Sequence, residues 1–239
     1  MHGKRRKLVG ELCIELTRRC NMQCPHCLRG CAQNIDINKN IIRKALNSFS
    51  CLTSLVLTGG EPSLVPDLIK YTVDYVVEHQ IDLGGIYVVT NGKIFSQKLV
   101  NAMRKAYNYA YEKEMCGLCV SEDPFHSDIA YENYMRYSDE IFYRTDKVSP
   151  DLDRYLINEG MAYENGIGVR NLIPHTEINS EYVEIDDDEL RIIDDLIYVS
   201  ATGNVLLDCD LSYENQDFYS IGNLDHSDLI DIVMAHIAN

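Results

Sequence analysis

Leu12-Cys13-Ile14-Glu15-Leu16 is a short, mostly apolar run of strand length, and it feeds a polar, cysteine-rich stretch from Thr17 to about Gln33. Ile41, Ile42, Ala45 and Phe49 then recur at helical spacing, and Leu55-Val56-Leu57-Thr58 predicts a buried strand that stops on Gly59-Gly60. The order repeats. Ile69, Val73, Val76 and Val77 mark a helix, Ile86 to Thr90 a strand, Leu99, Val100, Met103 and Ala106 a helix, and Leu118 to Ser121 a fourth strand. Beyond it the rhythm weakens: a helix over Ile129 to Tyr137, a strand at Ile141-Phe142-Tyr143, a helix opening at Pro150 and stopping near Gly160, and a sixth strand at Gly168-Val169-Arg170-Asn171-Leu172.

Strands alternating with helices imply parallel strands joined by right-handed crossovers, so the expected class is α/β, a partial (β/α)6 TIM-like barrel. In such barrels the loops after the carboxyl ends of the strands carry the chemistry, and both the cysteine stretch and Gly59-Gly60 occupy that position. From Ile197 the pattern becomes a hairpin, Ile197 to Ala201 and Val205 to Leu207 joined across Thr202-Gly203-Asn204. Asp225 to Ile237 predicts a closing helix, with Leu229, Ile230, Val233 and Ile237 on one face and Ser227 as a cap. Residues 1–196 are therefore expected as the core and 197–239 as a short C-terminal extension of hairpin and helix.

Composition narrows the function classes. A formal net charge of -15 over 239 residues disfavours contact with free DNA or RNA, because each phosphate contact needs a Lys or Arg. The basic run Lys4-Arg5-Arg6-Lys7 reads as a solvated terminus, and the acidic run Asp186 to Glu189 as an exposed face. No signal peptide follows the basic start, and no apolar run reaches the roughly 20 residues of a membrane-spanning helix. Nine cysteines, three of them between Cys20 and Cys27, suit metal ligation in a reducing compartment better than a disulfide framework, so a cytoplasmic protein is expected.

Cys20-Asn21-Met22-Gln23-Cys24-Pro25-His26-Cys27 gathers three thiols in one loop. They suit three irons of a polynuclear iron-sulfur cluster with the fourth iron open; the rival is a structural zinc ion with Cys31 as fourth thiolate. Together with Thr58-Gly59-Gly60-Glu61-Pro62 after the second strand, the loop strongly resembles the radical S-adenosylmethionine (SAM) superfamily, whose CxxxCxxC loop follows strand one and whose GGEP turn follows strand two. The resemblance runs from about Val9 to Leu172.

The resemblance implies that Cys20, Cys24 and Cys27 hold one [4Fe-4S] cluster, leaving the unique iron for the amino and carboxylate groups of SAM. It places His26 beside the adenine and Gly59, Gly60 and Glu61 at the methionyl amino group, a role consistent with close approach at glycine and acceptance by a carboxylate. A plain turn after a strand is the alternative. Asn91, in Thr90-Asn91-Gly92, and Ser121 and Asp123, in Ser121-Glu122-Asp123, match family positions near the ribose and methionine groups; the alternatives are a left-handed turn and helix capping. Arg170 is a candidate for the SAM carboxylate or a surface ion pair.

The activity so implied is reductive cleavage of SAM to a 5'-deoxyadenosyl radical that takes a hydrogen atom from substrate, an oxidoreductase chemistry fed by a low-potential donor of flavodoxin or ferredoxin type. The segment Val205 to Val233, with Cys209 and Ile221-Gly222-Asn223-Leu224, resembles a truncated start of the extension in peptide-modifying members, so a peptide or protein side chain is the expected substrate. Rearrangement of a small molecule or nucleoside precursor, activation of a glycyl-radical enzyme, and a non-catalytic metal-binding protein stay open. Cys13, Cys51, Cys116 and Cys119 read as buried core thiols, and the tyrosines at 107, 109, 111, 131, 134 and 137 as packing. No catalytic residue, nor a role for Cys31 or Cys209, is legible; His126, in the loop after Asp123, is a candidate proton donor near the substrate, with a solvated loop histidine as the alternative.

Overall fold

A computed structural model describes residues 6–123, 125–126, 131–147, 156–178, 181, 183–185 and 189–237 of the chain. The first half realises the alternating pattern as β1 (Arg6–Thr17), α1 (Lys39–Asn47), β2 (Cys51–Gly59), α2 (Pro66–Glu78), β3 (Asp82–Thr90), α3 (Gln97–Tyr109), β4 (Gly117–Glu122), α4 (Tyr131–Ser138) and β5 (Tyr143–Lys147). Strands β1 to β5 are parallel, each beside its predecessor. Period-two alternation sends Leu12, Ile14, Leu16, Leu55, Leu57, Ile86 and Val88 to one face of this sheet, where they join α1 to α3 through Ile42, Leu46, Ile69, Val73, Leu99 and Met103 in the main core. The opposite face carries Glu11, Cys13, Val56, Thr58, Val89 and Ser121. Helix starts are locally specified: the Asn38 side chain accepts from Asn40 N–H, and Ser96 accepts from Leu99 N–H.

After β5 come α5 (Gly160–Glu164), β6 (Val183–Ile185), β7 (Glu189–Val199), β8 (Asn204–Leu206), α6 (Tyr213–Phe218), β9 (Gly222–Asn223) and α7 (Leu229–Ile237). The nine-stranded sheet runs β5-β4-β3-β2-β1-β7-β8-β9, with β6 paired to β7. The α/β class with a parallel sheet flanked by helices is as the sequence pattern implies, with three differences. The fifth strand covers 143–147 rather than 141–143, because Ile141 is 71% exposed and Phe142 turns into the core. The sixth strand expected at Gly168–Leu172 is absent: Arg170 makes one isolated bridge, to Ile157, and Val169 is 60% exposed. Bounded by Gly166, Gly168 and Asn171, this segment has too few residues that gain from a pleated, half-buried surface. A sixth parallel strand does exist, but it is β7, seated on β1 on the side away from β2.

The hairpin is present, with β7 and β8 antiparallel and Gly203 at φ +85 in the turn. Leu196, at the expected domain boundary, lies inside β7. The helix expected from Pro150 falls largely on residues outside those described, and α5 begins at Gly160, where that helix was expected to end. The start of the basic run and most of the acidic run also lie outside them. The last helix starts at Leu229, later than predicted. Cys13, Cys51, Cys116 and Cys119 are buried, as is Tyr137, whose hydroxyl donates to Ile94 O at 2.8 Å. No helix among the described residues is long and apolar enough to cross a membrane.

Candidate functional site

Because β1 to β4 are parallel, their carboxyl ends converge at one rim, and there a cavity of about 580 Å³ opens over the face of the sheet opposite the main core. Its lining includes Cys20, Cys24, Cys27 and His26 from the loop after β1, and Gly59, Gly60 and Glu61 after β2. Asn91 follows from β3 and Ser121 from β4. Of the residues singled out from sequence, Asp123 touches this space only through His126, and Arg170 lies exposed elsewhere, with no ion pair among the described residues. The volume falls within the roughly 300–1,000 Å³ of small-ligand sites.

The cysteine loop is folded back on the strand ends. Arg18 N–H donates to Ile35 O at 2.8 Å, Gln33 N–H to Arg18 O at 2.9 Å, and Cys27 N–H to Cys24 O at 3.1 Å. Met161 N–H donates to Cys27 O at 2.8 Å and Met22 N–H points to Cys20 Sγ at 3.4 Å. Burial pushes the Cys20 thiol up, and it pushes Cys24 up to about 11 with the neighbouring Cys27 and Cys20 adding to the effect. The thiols are thus gathered, but not tightly: among the described residues their Sγ atoms do not all lie within 4.8 Å of one another.

The glycines make room for close backbone contact. A Cβ on Gly59 would sit 2.2 Å from Thr17 O, and one on Gly60 2.3 Å from Arg19 O. Their bareness lets the cysteine loop dock on the end of β2, with Gly60 N–H donating to Thr17 O at 2.7 Å and Glu61 N–H to Arg19 O at 2.8 Å. Glu61 is 1% exposed, and its carboxylate ties neighbouring strand ends together. Oε1 accepts from Ser63 N–H at 2.8 Å and Thr90 Oγ1 at 2.6 Å, and Oε2 accepts from Asn91 N–H at 2.8 Å. Asn91 passes the brace on, its Nδ2 donating to Asn21 Oδ1 in the cysteine loop at 2.8 Å. Glu61 also lines the cavity.

Asp123 ends β4 with a turn, its Oδ1 accepting from Phe125 N–H at 2.8 Å and His126 N–H at 3.0 Å. Its Oδ2 lies 2.6 Å from His126 Nδ1, and His126 Nε2 lies 3.8 Å from Cys24 Sγ. His26 stacks on Phe125 with ring centroids 4.1 Å apart and meets the His126 ring edge-on at 5.5 Å. Burial pushes the His26 pKa down, and its Nδ1 is a buried atom with no hydrogen-bond partner. Sequence spacing could not join these residues, since the cysteine loop and the turn after β4 meet only in the fold.

A second unread feature lies beneath the loop. Glu15, fully buried, accepts from Arg18 Nε at 2.8 Å, Ala201 N–H at 3.0 Å, Tyr198 OH at 2.6 Å and Gln216 Nε2 at 2.9 Å. Arg18 also donates to Gln216 Oε1 at 2.7 Å and lies over the Tyr213 ring. Burial alone pushes the Glu15 carboxyl up, but the Arg29 and Arg18 guanidiniums and the Tyr198 hydroxyl hold it below its usual range. The sequence signal was a glutamate in the apolar run Cys13-Ile14-Glu15-Leu16. The C-terminal segment therefore braces the cysteine loop from behind.

The donor set bears on the two metal readings. Thiolates on one tetrahedral zinc ion, at Zn–S bonds of about 2.3 Å, stand about 3.8 Å apart, closer than this trio as a whole. Cys31, the fourth ligand that zinc would need, is exposed, faces Met161 Sδ at 3.5 Å and lines a different cavity. Three spread thiols around an open space fit a polynuclear cluster. Cys209 also lines the site cavity beside Asp210, and burial pushes its thiol up to about 12.

No family model matches the chain. An uncharacterized protein of Methanocaldococcus jannaschii is 26% identical over 98 residues, 39% of this chain, so the match spans only 34% of that relative. Among solved structures, BtrN in an open conformation matches with TM-score 0.49 at 14% identity, covering 94% of this chain and 79% of BtrN. Streptococcus suis SuiB bound to the precursor peptide SuiA matches with TM-score 0.47 at 13% identity, covering 95% of this chain and 64% of SuiB. The structure of anSMEcpe with bound AdoMet and Cp18Cys peptide matches with TM-score 0.45 at 12% identity, over 97% of this chain and 83% of that one.

Proposed function

We propose that this chain is a radical SAM enzyme, with Cys20, Cys24 and Cys27 as ligands of one [4Fe-4S] cluster and SAM held beside it in the 580 Å³ cavity. The observation that carries the reading is the convergence of two separate motifs, the CxxxCxxC loop after β1 and the GGEP turn after β2, on that one cavity. Such a cluster, when bound, supplies one electron to the sulfonium of SAM, which yields methionine and the 5'-deoxyadenosyl radical that abstracts hydrogen from substrate.

The chain's own tasks follow from its geometry. Glu61 offers its carboxylate to the ammonium of SAM while its other bonds keep it from swinging, an arrangement that costs no reorganisation on binding. His26 presents a flat ring, backed by Phe125, to the adenine. Asn91 and Ser121 supply polar atoms for the ribose and methionine groups. Val56 and Val89 give the floor the apolar character that keeps water from a reactive carbon. The electron comes from a low-potential donor of flavodoxin or ferredoxin type, and the proposed substrate is a peptide or protein side chain, by the resemblance of the C-terminal segment.

Anaerobically reconstituted protein, reduced with dithionite and given SAM, is expected to release 5'-deoxyadenosine and methionine. The triple variant Cys20→Ala/Cys24→Ala/Cys27→Ala is expected to release neither. Equal release by the two proteins, or none by a wild type carrying its full iron, would overturn the proposal. Deuterium transfer from labelled peptides into 5'-deoxyadenosine then identifies substrate.

A further inference from the structure

The turn after β4 is seated on the cysteine loop, and this fixes where the His126 ring lies. Phe125 stacks on His26 with ring centroids 4.1 Å apart, and the His126 ring meets His26 edge-on at 5.5 Å. Asp123 caps the turn with Oδ1, which accepts from the N–H groups of Phe125 and His126, and holds the ring with Oδ2, 2.6 Å from Nδ1. The side chain of His126 is 13% exposed, so it is no solvated loop histidine, and that of Asp123 is 9% exposed. Pinned by the carboxylate, a pairing that fixes the direction of an imidazole, the ring turns Nε2 toward Cys24 Sγ at 3.8 Å, within reach of an N–H···S contact. A carboxylate at one ring nitrogen and a thiolate at the other give the ring an acceptor on each side, and imidazolium is the form that donates from both.

We propose that His126 donates a hydrogen bond to the sulfur of Cys24 when that thiolate holds the cluster, with Asp123 as the positioning residue behind it. This role rests on the proposed cluster site and says what sets its potential. A donor to a ligand sulfur, and a positive charge beside it, draw electron density from the thiolate and favour the reduced cluster, which carries one negative charge more than the oxidised one. Among the described residues Cys24 is the one cluster thiol with a side-chain hydrogen-bond partner, while Cys20 Sγ accepts from the backbone N–H of Met22. The Asp123–His126 pair therefore makes the cluster easier to reduce through a single thiolate, which lessens the demand on the external electron donor.

The test is a redox titration of full-length protein, reconstituted anaerobically with iron and sulfide and followed through the electron paramagnetic resonance of the reduced cluster. His126→Phe keeps a ring in the site and removes the donor; its midpoint potential should be more negative than wild type by about tenfold in the reduction equilibrium, or about 59 mV for one electron. His126→Gln, which returns an N–H donor without the charge, should fall between the two. In wild type labelled with 15N-histidine, pulsed resonance should show a nitrogen coupling to the reduced cluster that His126→Phe loses. A merely structural role would alter iron content or the unfolding midpoint and leave the potential of the loaded cluster where it was. A His126→Phe cluster with the wild-type potential, or one easier to reduce, would overturn the role, as would a wild type whose reduced cluster shows no histidine nitrogen coupling. Either result on a cluster that still responds to SAM falls on this role alone, whereas a wild type that assembles no cluster overturns the proposed function with it.

Discussion

At the residue scale, the thiols and the GGEP turn were legible because their chemistry is written in short-range spacing, whereas what holds them was not. Glu61, expected at the methionyl amino group, also braces the strand ends, its carboxylate accepting from Ser63, Thr90 and Asn91. Glu61→Gln turns one acceptor of that set into a donor facing donors, and a loss of about 2 kcal/mol in urea unfolding is expected. Glu15 adds to the acid sensitivity of the fold. Its folded pKa lies below the unfolded one, so the stability it adds is full above the unfolded value, about 4.3, and drains away as pH falls through the lower folded value. Unfolding free energy measured from pH 6 down to pH 3 should fall more steeply in wild type than in Glu15→Gln, which starts lower and lacks that titration.

At the scale of elements, strands β1 to β4 and helices α1 to α3 were readable because each buries a periodic apolar face against the same core. The pairing of β7 with β1 was not, since register between strands so far apart in sequence is set by tertiary packing. The docking of the cysteine loop on β2 rests on the missing side chain of Gly60. Gly60→Ala would drive a Cβ to within 2.3 Å of Arg19 O, and a cost of about 1–3 kcal/mol is expected, together with faster reaction of the apo-protein's thiols with a disulfide reagent as the loop lifts. Unchanged thiol kinetics and unchanged urea midpoint would contradict this docking. Gln216→Leu tests the same loop from behind: it strips a donor from Glu15 and an acceptor from Arg18, and should cost about 1–3 kcal/mol.

At the scale of the whole molecule, the C-terminal segment is bound into the core. Strand β7 continues the sheet beyond β1, while Tyr198, Ala201 and Gln216 close the buried network under the cysteine loop. A chain ending at residue 196 would cut β7 and leave Glu15 and Arg18 buried without those partners, so it should fail to give the cooperative unfolding transition of the full chain. A folded, cooperative 1–196 fragment would show the extension to be separable. The central claim, that three thiols at the rim of a parallel sheet hold a SAM-cleaving cluster, is tested most directly by iron and acid-labile sulfide counts with electron paramagnetic resonance of the reduced protein, before and after SAM. The account predicts about four irons and four sulfides per chain, a reduced-cluster signal that shifts when SAM is added, and loss of all three in the Cys20, Cys24 and Cys27 variants. Zinc in place of iron after anaerobic reconstitution, or a cluster signal indifferent to SAM, would contradict it.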